Sequence, residues 1–187
     1  MPEGGRVIAG LAGGIRLVAP QGSTRPLTDR VKESLFASLE SEGALVGTFL
    51  DLFAGSGAAG IEALSRGALE AVFVERERRA CESIRINLER TRLGEAHLVC
   101  TDVSSFLARP QHGPYSTVFV DPPYESGELD GVLQVLGSHE RNFLRLHAVV
   151  VAKHFWRDEP PLRVGTIVRT RQKRFGETML SFYTRAE

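Results

Sequence analysis

The chain has 187 residues, 42% apolar and 25% charged, which suits one ordinary globular domain with a core of its own. Basic and acidic residues number 23 each, so the formal net charge is zero and any charged partner must be met by local patches. No apolar run is long enough to span a bilayer and the first residues lack the apolar stretch of a signal peptide, so a cytoplasmic protein with no membrane partner is expected. Cys81 and Cys100 fit neither a disulfide framework nor a zinc pattern and read as reduced bystanders. The five histidines have no ligand spacing, so no metal is expected.

At the front, RVIAG and IRLVAP flank Gly13 and Gly14, which predicts a β-hairpin. Thr28 or Asp29 then caps a helix with Val31, Leu35, Phe36 and Leu39 on one face. From residue 48, short apolar runs alternate with helical patterns. Strands are predicted over 48–54, 71–75, 96–100, 116–121 and 147–153, with helices over 58–66, 77–92 and 127–140 and a short one after residue 100. Continuous apolar strands between helices imply βαβ units and a parallel sheet covered on both faces. Residues 164–185 read as two antiparallel strands turning near Gly176. The expected fold is α/β: a mostly parallel, doubly wound sheet with an antiparallel C-terminal hairpin. Residues 1–40 form a small hairpin-and-helix extension, and 41–187 form the main domain.

After the first core strand comes Asp51-Leu-Phe-Ala-Gly55-Ser-Gly57-Ala-Ala-Gly60. Glycines at a strand-to-helix turn allow tight backbone geometry and close approach of a ligand. Glu75, 20 residues after Gly55, ends the next strand, where an acid accepts hydrogen bonds from ribose hydroxyls. Asp51 favours S-adenosylmethionine over a dinucleotide, because a carboxylate there attracts a methionyl amine and repels a pyrophosphate. Asp102, directly after the third core strand, is placed to accept from an adenine amino group, to cap the following helix, or both.

The fourth core strand ends in Asp121-Pro122-Pro123-Tyr124. Two prolines remove two backbone donors and stiffen the chain at the strand end. An exocyclic base amino group attacks poorly because its lone pair is delocalised into the ring. A carboxylate (Asp121) and a carbonyl (Pro122) that hold its two N–H bonds leave the lone pair aimed at a methyl group. Tyr124 is placed to stack on the base, which is worth about 1–3 kcal/mol.

Together, the glycine loop, Glu75 and Asp121–Tyr124 resemble the amino-methyltransferase branch of the Rossmann-like, class I S-adenosylmethionine-dependent methyltransferases. Arg6–Gly10, Arg16-Leu17, Thr24–Glu33, Arg174–Thr178 and Leu180–Tyr183 narrow the resemblance to the RsmD family. Leu27 and Phe175 depart from its pattern, away from the chemistry. The resemblance implies methylation of the N2 atom of one guanine in 16S ribosomal RNA, within the small subunit or its assembly intermediate. It implies that Gly55, Gly57 and Gly60 cradle the cofactor, with Glu75 on its ribose and Asp102 on its adenine. Arg6, Arg16, Arg25, Arg30, Lys32 and Arg174 are the expected RNA contacts, and a monomer is expected. The alternatives are another base amino group, such as adenine N6 in DNA, or a non-catalytic RNA-binding assembly factor.

Overall fold

The computed structural model describes residues 2–20, 27–109, 113–124 and 126–186. A two-stranded antiparallel sheet, β1 (Glu3–Arg6) and β2 (Arg16–Val18), precedes helix α1 (Asp29–Ser41). The core then runs β3 (Thr48–Leu52), α2 (Ala58–Ser65), β4 (Glu70–Glu75), α3 (Arg78–Thr91), β5 (Glu95–Cys100), α4 (Val103–Ala108), β6 (Tyr115–Val120), α5 (Glu128–Leu136) and β7 (Leu144–Phe155). Three further strands close it: β8 (Arg163–Val164), β9 (Ile167–Phe175) and β10 (Thr178–Arg185).

These strands form one sheet in the order β5-β4-β3-β6-β7-β10-β9-β8. The pairs from β5 across to β7 are parallel, and β10 runs antiparallel to both β7 and β9. The chain steps outward from β3 to β5, then returns to lay β6 on the other side of β3. Such a reversal opens a crevice at the carboxyl ends of the strands. Asp51 of β3 and Asp121, just past β6, lie at that crevice.

Both sheet faces are buried, as the apolar runs predict. Phe49, Phe73 and Phe119 face one side with α2 and the buried face of α1, while Leu50, Leu52, Val118 and Val120 face the other with Phe106 and Leu133. Successive strand residues point to opposite faces, so Asp51 shares the side of Phe49. Val7 and Leu17 of the N-terminal segment belong to the same apolar cluster as Phe49 and Phe73.

Thr28 caps α1, accepting from the Val31 N–H. The front hairpin differs from expectation: its strands lie at 3–6 and 16–18, and Val7 to Ile15 form a turn-rich connection. Val7 and Gly14 still bond across that connection, to the Ile15 and Val7 carbonyls, but four of its backbone donors bond to α2. Ile8 and Ala9 donate to the Glu62 carboxylate, Leu11 to the Ser65 carbonyl and Ala12 to Ser65 Oγ. Helix α5 stops at Leu136, short of the predicted 140, where the Gly137 carbonyl accepts the Thr166 N–H at 2.8 Å and a Cβ on Gly137 would come within 2.1 Å of the Val164 carbonyl. Strand β7 extends well beyond 147–153 at both ends, and β8 had no sequence signal.

Candidate active site

The site grows from the ends of β3, β4, β5 and β6. Asp51 is buried at the end of β3, and its Oδ2 accepts the Gly60 N–H of α2 at 2.9 Å. Burial pushes its carboxyl well above the ordinary range, and the neighbouring charges of Asp121 and Glu75 add to that; the Gly60 bond opposes it. The chain then turns sharply. Phe53, Gly55 and Gly57 all have positive φ (61°, 57° and 77°), a conformation expensive for any residue with a side chain. A Cβ on Gly55 would enter open space, so its backbone angle and the cavity in front of it are what call for glycine.

Gly57 and Gly60 have a different job from the cofactor contact expected of them. Neither lines the cavity. A Cβ on Gly60 would lie 2.3 Å from the Phe73 ring, and one on Gly57 3.3 Å from Phe73 and Ile84. They let α2 sit close against β4, the packing role of a third glycine in such loops.

Glu75 ends β4. Its Oε2 accepts the Gly55 N–H at 2.8 Å, and its Oε1 accepts the N–H groups of Arg76 and Glu77, each at 2.8 Å. It ties the glycine loop to the start of α3. Asp102 caps α4: Oδ1 accepts from the Ser105 N–H at 2.8 Å and from the Ser104 hydroxyl at 2.6 Å. Those bonds, the Ser104 hydroxyl first, hold its carboxyl well below the ordinary range. It also lines the cavity, so the cap and part of the cavity wall are one residue.

Asp121 follows β6, its N–H donating to the Leu52 carbonyl at 3.3 Å. Its carboxylate Oδ1 accepts from Lys153 Nζ at 2.7 Å. Burial raises its carboxyl above the usual value, and Lys153 acts the other way. Pro122 is buried and Pro123 exposed. The Tyr124 hydroxyl lies 3.1 Å from Thr178 Oγ1 of β10, and its ring is 6.3 Å from that of Phe155. Asp51, Gly55, Glu75, Asp102, Asp121 and Tyr124 thus border one cavity of about 460 Å³. A second hollow of about 320 Å³ shares Pro122, Pro123, Tyr124 and Lys153 with it.

The expected RNA contacts divide. Arg6 and Arg16 are register partners on β1 and β2, both exposed, and they pair with Asp29 and Glu3 respectively. Arg30 is exposed, its guanidinium 5.9 Å from the Phe175 ring centroid. Arg174 is exposed and lies 3.8 Å from the Trp156 ring centroid. Lys32 does not fit: it is 1% exposed, donates to the Arg6 carbonyl and stands 3.7 Å from the buried Glu62. It holds the N-terminal segment to α2, and no phosphate reaches it. Arg25 lies outside the described residues.

Sequence reasoning missed Lys153 and Trp156. Lys153 carried only the weak signal of a lysine closing an apolar strand, and Trp156 carried none. Among the described residues, no cluster of three or more His, Cys, Asp or Glu is arranged to hold a metal, and no helix is long and apolar enough to cross a membrane.

Comparison with known proteins bears on this geometry. A family model described as "Conserved hypothetical protein 95" matches residues 5–184. Bacillus subtilis YlbH is 38% identical over 184 residues, covering 95% of this chain and 97% of its own. Ribosomal RNA small subunit methyltransferase D of Escherichia coli K12 is 40% identical over 132 residues, covering 70% of this chain and 66% of its own. The solved structure of yhhF from Escherichia coli superimposes with a TM-score of 0.88 at 32% identity, covering 99% of both chains. The fold is that of the Rossmann-like methyltransferases, and the chain belongs to the RsmD family of ribosomal RNA methyltransferases.

Proposed function

We propose that this chain transfers a methyl group from S-adenosylmethionine to the exocyclic N2 of a guanine in 16S ribosomal RNA. The observation that carries the reading is the shared cavity: three acids at three strand ends and the Asp121–Tyr124 tetrad all face it. The residues fit the cofactor. Gly55 presents backbone to the cavity with no side chain in the way, and acids stand where an amine, a ribose and an adenine amino group need acceptors.

When bound, S-adenosylmethionine supplies an electrophilic methyl on a sulfonium. Asp51 answers the methionyl amine, whose positive charge favours the ionised carboxylate that burial disfavours. Glu75 already accepts three backbone N–H bonds, so of about four acceptor sites one remains for a ribose hydroxyl, on Oε2. Asp102 spends Oδ1 on its cap and keeps Oδ2 for the adenine amino group. Asp121 and the Pro122 carbonyl hold the N–H bonds of the target amine, and Tyr124 stacks on its base. A carboxyl raised by burial is the better acceptor for the proton the nitrogen loses after attack.

The N-terminal segment, residues 1–40, forms the RNA side with Arg174. Arg6 and Arg16 are held by exposed ion pairs, each worth about 0–1 kcal/mol, so phosphates displace Asp29 and Glu3 at little cost. The substrate is the small subunit or its assembly intermediate.

The test is incubation with tritiated S-adenosylmethionine and small subunits from a strain lacking this gene, followed by mapping of the labelled nucleotide, with Asp121→Ala alongside. Label on one N2-methylguanine, lost in the variant, is the expected result. Label on DNA or protein instead overturns the substrate; cofactor binding without any transfer overturns the activity in favour of an assembly factor.

A further inference from the structure

Lys153 is the last but two residue of β7, pairs with Leu180 of β10, and is 9% exposed at its side chain. A lysine so placed is costly unless its charge is matched. Its Nζ stands 2.7 Å from Asp121 Oδ1 and 5.3 Å from the Tyr124 ring centroid, so one cation touches the acid and the aromatic of the tetrad together. Strands β6 and β7 are parallel with Val120 opposite Ala152, which brings the next residue of each chain, Asp121 and Lys153, side by side at the crevice. Among the described residues, no other donor is bonded to the Asp121 carboxylate, and none is bonded to Oδ2.

We propose that Lys153 is a positioning residue: by holding Oδ1 of Asp121 it fixes the carboxylate and leaves Oδ2 to the target amino group. This rests on the methyl-transfer reading above. The titratable groups lining the cavity with Asp121 are Lys153 from β7, Asp51 from β3, Tyr124 of its own loop and Glu128 at the start of α5, with Glu75, Arg76, Glu77 and Asp102 further round. Among these, Lys153 is the cation bonded to the Asp121 carboxylate, at 2.7 Å. Burial raises the Asp121 carboxyl, the charge and hydrogen bond of Lys153 oppose that rise, and the other carboxylates give no such help. Without Lys153, Asp121 takes up a proton at higher pH and loses both its orientation and its capacity to accept.

The test compares wild type, Lys153→Met and Lys153→Arg, with Lys153→Gln in case the methionine variant does not fold. The Asp121 carboxyl is titrated by carbon-13 NMR in the protein free of RNA, its resonance assigned with Asp121→Asn. Methyl transfer is then measured across pH on small subunits in single turnover. Lys153→Met is expected to titrate Asp121 at higher pH and to slow transfer about a hundredfold near neutrality, recovering as pH rises. The arginine variant stays near wild type in both readouts. Cofactor affinity changes by less than about threefold, since the lost contact belongs to the transfer step. An unmoved Asp121 titration and pH profile in Lys153→Met, with Asp121→Ala inactive, overturns the role of Lys153 alone. Full activity of Asp121→Ala overturns the underlying reading of the tetrad instead.

Discussion

Glu62 of α2 and Lys32 of α1 face each other 3.7 Å apart, 0% and 1% exposed, in the seam between the N-terminal segment and the sheet domain. The same carboxylate accepts the N–H groups of Ile8 and Ala9 and the Nε of Arg66 at 2.7 Å. Burial lowers the Lys32 ammonium, with a smaller push from the Arg66 charge, and Glu62 and Asp29 counter it.

Removing the Glu62 charge therefore leaves buried Lys32 without a carboxylate and Arg66 with Glu40 alone, and weakens the acceptor of two backbone donors. Glu62→Gln is expected to lose about 3–5 kcal/mol of stability, the usual cost of breaking a buried pair from one side. A thermal melt shows it as a fall in Tm of at least about 6 °C. Lys32→Met in the same chain recovers part of the loss by removing one stranded charge. An unchanged Tm in Glu62→Gln rules out the network as the clasp.

Asp51 sets stability against function. A carboxyl raised by folding binds its proton more tightly in the folded state. Its stabilising contribution is complete below the unfolded pKa and is lost as pH rises through the folded one. Asp51→Asn keeps an acceptor for the Gly60 N–H and cannot ionise. Its Tm advantage over wild type is expected to widen from pH 5 to pH 8, by about 2–4 °C per kcal/mol. Its affinity for S-adenosylmethionine falls by about tenfold or more, the loss of a charged hydrogen bond. Calorimetric titration checks the second half.

Glu75→Ala removes three backbone hydrogen bonds from the glycine loop and the start of α3. Affinity for S-adenosylmethionine and for its demethylated product is expected to fall alike, by about 10–100-fold, because neither contact involves the methyl group. A loss confined to the methylated form contradicts this role.

The two kinds of glycine separate by substitution. Gly60→Ala forces a Cβ to within 2.3 Å of a buried Phe73 ring and is expected to cost about 1–3 kcal/mol, with cofactor affinity little changed. Phe73→Leu in that background restores part of the stability. Gly55→Ala meets no atom, yet it strains a left-handed backbone and places a methyl in the cavity, so its main effect falls on cofactor binding.

Arg6 and Arg16 are tested by salt. If both meet phosphates, each alanine substitution lowers the slope of log affinity against log salt by about one on small subunits. No change in slope shows that they serve only their pairs with Asp29 and Glu3.

The order of strands and helices from residue 48 onward is legible in the chain, because buried parallel strands demand unbroken apolar runs and helices a 3.6-residue period. So is the placement of residues whose type and neighbours are local facts: the glycine turn, Glu75 ending a strand, Asp102 before a helix, the paired prolines after Asp121. The tertiary structure decided what depends on packing between segments distant in the chain. It separated Gly55, which faces the cavity, from Gly57 and Gly60, which face Phe73. It buried Lys32 beside Glu62, 30 positions away, where sequence reads only one more basic residue near Arg30. It set Lys153 against Asp121 through the register of β6 and β7. Register and helix-to-sheet distance are properties of how two segments meet, and neither segment carries them alone.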